Sequence, residues 1–252
     1  MRANGFQQGA QLMELWFSRP AIAYPRYTAS NSSVIKMDWV LSFARAKKVY
    51  QEIIDDEIWV NAAAKAEIKT MLDRTIGLPV GVRVKFAPQT GLMDQVDEDY
   101  INHRAVDGME HRIDGLDAAL GRFDLRVLVA GTVEPGKLNK LAAATSPYDV
   151  YPHTQEAQIV NITDVGVYVA DSYDFDGQQA LGIWNEDDNS ASMNYLMANE
   201  YARGREANQY VGNYSFQEWR KANNRGGDFR VFSDIKWTHL DPPSTFAIPI
   251  PT

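Results

Sequence analysis

The chain has 252 residues, 25 of them Lys or Arg and 33 Asp or Glu, giving a formal net charge of -8 at pH 7 and a sequence pI ≈ 5.0. Phosphate-backbone binding needs a basic surface, so a generic nucleic-acid binder is excluded. A hydrophobic content of 45% against 23% charge marks a globular chain, and the absence of cysteine removes disulfides, thiolate nucleophiles, zinc–cysteine sites and iron–sulfur clusters together.

The first apolar patch, Leu12 to Phe17, is short and broken by Glu14, so it matches neither a secretory leader nor a membrane span, and no run of 18 apolar residues follows. The expectation is a protein made in the cytoplasm without a signal peptide and without a transmembrane segment. Helical spacing of Phe6, Leu12, Leu15 and Trp16 before Pro20 predicts an amphipathic helix over 6–18. Val34, Ile35, Met37, Trp39 and Leu41 read as a β-rich run, and 43–54 as a helix. Asn61 is the candidate N-cap of a further helix to Arg74, stopped by Gly77 and Pro79.

From Val80 the period changes. Val82, Val84 and Phe86 alternate with Arg83 and Lys85, residues 123–130 alternate before turning apolar, and 159–169 and 181–184 are two more candidate strands. Asp176-Gly177 would close the last two into a hairpin. The acidic tract Asp94 to Asp99 lacks the ligand order of a calcium loop and reads as solvated. A helix is expected near 215–222, then a strand over 229–237 and an extended Pro-rich tail in which Trp237 is followed by Pro242, Pro243, Pro249 and Pro251. The whole predicts a single α+β domain over 1–252: N-terminal helices (1–79) followed by a largely antiparallel sheet or half-open barrel (80–252). Large aromatics in apolar runs, Trp39, Phe43, Tyr168 and Trp184, are expected in the core.

No P-loop, dinucleotide fingerprint, G-x-S-x-G elbow or H-E-x-x-H motif occurs, and no organic cofactor is implied. Histidine is limited to His103, His111, His153 and His239. The densest polar feature is Val167 to Gly177, where Asp171, Asp174 and Asp176 lie within six residues at the end of an apolar strand. Asp171 and Tyr173 share one face of an extended strand, and Ser172 and Asp174 the other. Such acids suit Mg²⁺ held by Asp171 and Asp174, or a general acid and base, and equally suit Asx-turns that build the bend. The second feature, Arg225-Gly226-Gly227-Asp228, could present backbone N–H groups and a guanidinium to an anion. A tight turn with a local Arg225 to Asp228 pair has the same sequence.

Leu12 to Phe17, Met37 to Ala44, Val167 to Phe175 with Leu181 to Trp184, and Trp219-Arg220 with Gly226 to Phe229 together resemble a family of uncharacterised bacterial proteins associated with type VI secretion. The likeness covers nearly the whole chain. It implies a delivered antibacterial effector, or an accessory to one, with an immunity protein and a secretion-spike component as partners and the periplasm of a target cell as destination. Asp171-Ser172-Tyr173-Asp174-Phe175 is also similar to the D-x-Y-D-F segment of the colicin M family, Mg²⁺-dependent toxins that hydrolyse the pyrophosphate link of lipid II. Only these five residues match, and the His-Arg pair that follows in that family is missing here. On the effector reading, metal-assisted phosphoester or pyrophosphate hydrolysis, Asp171 and Asp174 would hold Mg²⁺ or orient water, Tyr173 would steady the leaving oxygen, and Arg225, outside the matched segment, would stabilise phosphate charge. Two readings stand beside it. One is a noncatalytic adaptor in which Tyr168, Tyr173, Trp184 and Trp219 form a core or interface. The other is a glycan hydrolase with a carboxylate pair in an open cleft.

Overall fold

The computed structural model describes residues 1–22, 29–108, 113–140, 153–177, 180–185, 191–192 and 208–250. Among them are seven α-helices: α1 (Gln7–Ser18), α2 (Met37–Val40), α3 (Ala44–Asp55), α4 (Ala62–Thr75), α5 (Met93–Val96), α6 (Gly115–Ala119) and α7 (Asn213–Asn223). Ten strands accompany them: β1 (Ser30–Asn31), β2 (Val84–Phe86), β3 (Asn102–Val106), β4 (Phe123–Lys140), β5 (His153–Tyr173), β6 (Ala180–Asn185), β7 (Ala191–Ser192), β8 (Asn208–Gly212), β9 (Phe229–Phe232) and β10 (Lys236–Pro249). Seven strands form a mostly antiparallel mixed sheet, in which β1 and β9 are a parallel pair; it is not closed into a barrel, and β6, β7 and β8 form a separate small sheet. The α+β class is as the sequence predicts.

The chain gathers into two compact units, one of residues 1–50, 104–125 and 168–234, the other of 51–103, 126–167 and 235–252. In the first, α1 forms where predicted and buries Leu12, Met13 and Trp16 on one face. Its Gly9 meets α6 so closely that an added Cβ would stand 2.5 Å from the Ala118 carbonyl oxygen. Strand β9 pairs antiparallel with the end of β5, Tyr173 opposite Phe229 and Asp171 opposite Val231, and β1 lies parallel to β9. Residues 165–170 of β5 are all buried, which explains the unbroken apolar run there.

In the second unit α4 begins at Asn61, whose side chain accepts the Ala64 N–H at 2.8 Å, the predicted cap. Strands β2, β4, β5 and β10 pair in that order. The prolines of β10 fall where a ladder tolerates them: Pro242 and Pro243 sit in an irregularity between His239 and Ser244, and Pro249 closes the strand.

Three expectations about strands fail. The β-rich run 34–41 contains α2, because the Asp234 carboxylate accepts the Met37 N–H at 2.7 Å and the i, i+3 pair Met37 and Val40 is buried, so tertiary contacts override local β propensity. The 159–169 and 181–184 strands are not neighbours: β9 occupies the end of β5, while β6 pairs with β7 and β8. The strand expected over 229–237 is two strands, β9 and β10, split after Phe232. Tyr168 is fully buried, whereas Trp39, Phe43 and Trp184 are only half-buried.

Candidate functional site

The acids of 171–176 sit where β5 ends. Tyr173 is the last residue of the strand; its ring stacks on Phe229 at 5.3 Å, and its hydroxyl donates to Met13 Sδ at 3.8 Å. Burial, and then the negative charge of Asp171, push its phenol well above the ordinary range, so it remains a protonated donor aimed at a weak sulfur acceptor. Asp174 lies just past the strand. Burial raises its carboxyl above the usual carboxylate range, the charges of Asp228 and Asp176 add to the rise, and the Asp176 N–H at 3.3 Å and Arg220 oppose it.

That N–H contact is an Asx-type turn, the structural use of the acid. The turn is gripped from α7: Asn213 Nδ2 donates to the Asp176 carbonyl and Gln217 Nε2 to the Phe175 carbonyl at 2.8 Å. Asp176-Gly177 therefore turns the chain onto α7 and does not close the hairpin that its dipeptide signals. Phe175 follows it inward, stacked face to face on Phe216 at 3.8 Å.

The Arg225 to Asp228 segment is equally committed. Arg225 Nη2 donates to the Ser18 carbonyl at 2.6 Å, capping the end of α1. The N–H groups of Gly226, Gly227 and Asp228 donate to the carbonyls of Arg19, Trp16 and Ile22 at 3.0, 3.1 and 2.8 Å. Both glycines are demanded by close approach: a Cβ on Gly226 (φ +95) would stand 2.4 Å from the Trp16 ring, and one on Gly227 would stand 2.4 Å from the Pro20 carbonyl oxygen. The backbone donors expected to face an anion face carbonyls at the end of α1 and in the segment after it instead. Asp228 does not pair with Arg225. It is buried, accepts the Trp16 indole N–H at 2.8 Å, and pairs with Arg220, whose guanidinium lies 5.1 Å above the Trp16 ring.

The sequence reading missed this Trp16–Asp228–Arg220 centre, whose members are 212 and 8 residues apart. The only signal was an acid directly before the apolar Phe229 to Phe232 run. The structure thus brings Asp174, Asp176, Asp228 and Arg220 within electrostatic reach and sets Tyr173 beside Asp171, while Arg225 serves α1. Among the described residues no group of three or more His, Asp or Glu side chains is placed to hold a metal ion. His239 is engaged by Asp164 at 2.9 Å and the His103 ring lies 6.2 Å from Tyr100; His111 and the side chain of His153 lie outside the described residues.

The acidic tract 94–99 is not the solvated loop expected. Asp97 and Asp99 are buried, the first gripped by both oxygens at 2.7 and 2.6 Å by one Arg126 nitrogen, the second by Arg74 and by the Gln89 N–H at 2.8 Å. They are structural anions with arginine partners drawn from distant elements.

Fold and site together define an α+β protein in which Gly226, Gly227 and Asp228 are buried against the end of α1 and the acids of 171–176 form a half-exposed turn. The chain belongs to a family of unknown function, DUF6402, whose profile matches residues 1–248. No curated protein and no solved structure matches it.

Proposed function

We propose that this chain acts as a noncatalytic binding module, an adaptor of the type VI secretion apparatus. One observation carries the reading: the groups that would make a phosphate-handling site are used to hold the fold. Arg225 and the N–H groups of 226–228 bind carbonyls of residues 16–22, at and just past the end of α1, Asp228 binds Trp16 and Arg220, and an Asp174 oxygen closes a turn. A catalytic group must be free to touch substrate. Exposed Tyr210 on β8 and Tyr214 at the start of α7 supply the amphipathic surface that interfaces favour.

The second reading, an Mg²⁺-dependent effector of the colicin M kind acting on a lipid-linked pyrophosphate, draws on one feature. Asp174 is held toward its neutral form, the state a general acid needs. Expression in a bacterial host, once retained in the cytoplasm and once routed to the periplasm, separates the two. The adaptor is harmless in both compartments and co-purifies with a spike component. Periplasmic toxicity that Asp174→Asn abolishes at unchanged melting temperature would establish the effector, and with it a need for an immunity protein.

A further inference from the structure

One face of β10 presents a row of side chains that opens to solvent. Trp237 is 44% exposed, and its partner on β5 is Gly166. A Cβ at Gly166 would stand 3.0 Å from the indole Cζ3 and 2.7 Å from Ile235 Cγ2, so the glycine is what lets the indole lie down on the sheet with its other face outward. Two residues on, along the same face, His239 stands opposite Asp164. Its Nδ1 is 2.9 Å from Asp164 Oδ1, and the Thr163 hydroxyl donates to Asp164 Oδ2 at 2.7 Å. The ring is thereby oriented, and among the described residues its Nε2 has no partner.

Pairing resumes after the irregularity with Ser244 opposite Ile162. Asp164 and Ile162 are two apart on β5, so Ser244 is the next position after His239 on this face although five residues separate them in sequence. The Ser244 hydroxyl accepts the Trp59 indole N–H at 3.1 Å, which leaves its own proton to donate. His239 and Ser244 line an open cleft of about 560 Å³ together with Glu57, Lys65 and Asp241. The Lys65 ammonium lies 5.3 Å from the Phe246 ring, and among the described residues neither it nor Glu57 nor Asp241 has an ion-pair partner.

We propose that this row, from Trp237 through His239 and Ser244 into the cleft, binds a carbohydrate chain. A pyranose ring has an apolar face of C–H bonds that stacks on an exposed indole, and a rim of hydroxyls that each donate and accept. The row matches both demands. Trp237 is the platform, the carboxylates of Glu57 and Asp241 accept, Ser244 and Lys65 donate, and His239 offers Nε2, the ring nitrogen without a partner among the described residues, to a hydroxyl. From Trp237 to Ser244 is two same-face steps, about 13 Å at strand spacing, enough for a short oligosaccharide. The two acids disfavour a phosphate or carboxylate ligand, and the polar floor disfavours an apolar peptide. None of these residues belongs to the Asp171 to Asp228 region, so the inference holds whichever reading of that region is correct.

The test is titration of the full chain with chitohexaose and, separately, with cellohexaose, followed on the Trp237 indole ¹H–¹⁵N resonance, which Trp237→Phe assigns by its disappearance. Saturable shift with at least one saccharide is expected. Trp237→Ala should weaken binding about tenfold or more, the loss of one aromatic stack, and His239→Ala by less, both at nearly unchanged melting temperature because these side chains are exposed. Ser244→Ala should also weaken binding by less than Trp237→Ala, but at a lowered melting temperature because it strands the buried Trp59 N–H. The proposal is overturned if neither saccharide shifts the resonance, or if affinity, followed by calorimetry, survives intact in Trp237→Ala. It is also overturned if sedimentation shows the Trp237 face buried in a dimer of the chain.

Discussion

Asp228 is the residue whose removal should be felt most. Its carboxylate has no exposed surface and is held by the Trp16 N–H and by Arg220, which is itself only 13% exposed and whose buried Nε has no partner among the described residues. Breaking such a pair strands the remaining charge, so Asp228→Ala should lower unfolding free energy by about 3–5 kcal/mol, read from a urea midpoint. Asp174 behaves in the opposite sense. Its carboxyl is raised, so the native state binds a proton more readily than the unfolded chain, and stability falls as pH rises from the ordinary carboxylate range through the raised value. Asp174→Asn keeps the acceptor for the Asp176 N–H and removes the penalised charge. It should flatten that slope and melt no lower than the parent at neutral pH, whereas Asp174→Ala loses the turn bond and should cost about 1 kcal/mol. Equal losses from both substitutions would contradict this account. Trp184, half-buried with its N–H on the Leu181 carbonyl at 3.3 Å, should cost less on truncation than the roughly 3–5 kcal/mol of a fully buried tryptophan.

At the scale of elements, the end of α1 depends on the glycine pair beneath it. Gly226→Ala adds both a contact of 2.4 Å to Trp16 and a side chain at φ +95, so a fall of about 2–3 kcal/mol is expected in thermal melts. The short helix α6 depends on its cap. Asp114 accepts the N–H groups of Leu116 and Asp117 at 2.9 and 3.0 Å and is paired with Arg45. Burial opposes its ionisation, but Arg45 and these N–H groups prevail and bring its pKa to about 2. A depressed acid stabilises above its unfolded value near 3.8 and loses that contribution as pH falls through about 2. In Asp114→Asn the acid limb of a pH–stability curve should therefore be shallower between those values. Elements with a local signal were legible: α1 from its apolar spacing, α4 from Asn61, and α7 from 215–222. The short α2 was not, because its N-cap acceptor, Asp234, lies 197 residues away.

For the molecule as a whole, the charge of -8 predicts no retardation of duplex DNA in a gel shift at physiological salt, and a clear shift would contradict the exclusion drawn from composition. The sequence by itself determined the α+β class, the mostly helical first third, most element positions, and the absence of thiol chemistry, because apolar period, caps and composition are local properties. It also located the two segments, 171–176 and 225–228, where polar residues concentrate. Only tertiary structure decided what those residues do. Whether Arg225 faces an anion or the Ser18 carbonyl, whether Asp228 pairs with Arg225 or Arg220, and whether Asp97 and Asp99 are solvated or buried depend on partners far off in the chain. The same holds for the separation of β5 from β6 and for Ser244 standing next to His239. Strand partners and buried ion pairs are chosen by global packing, and no local pattern encodes them.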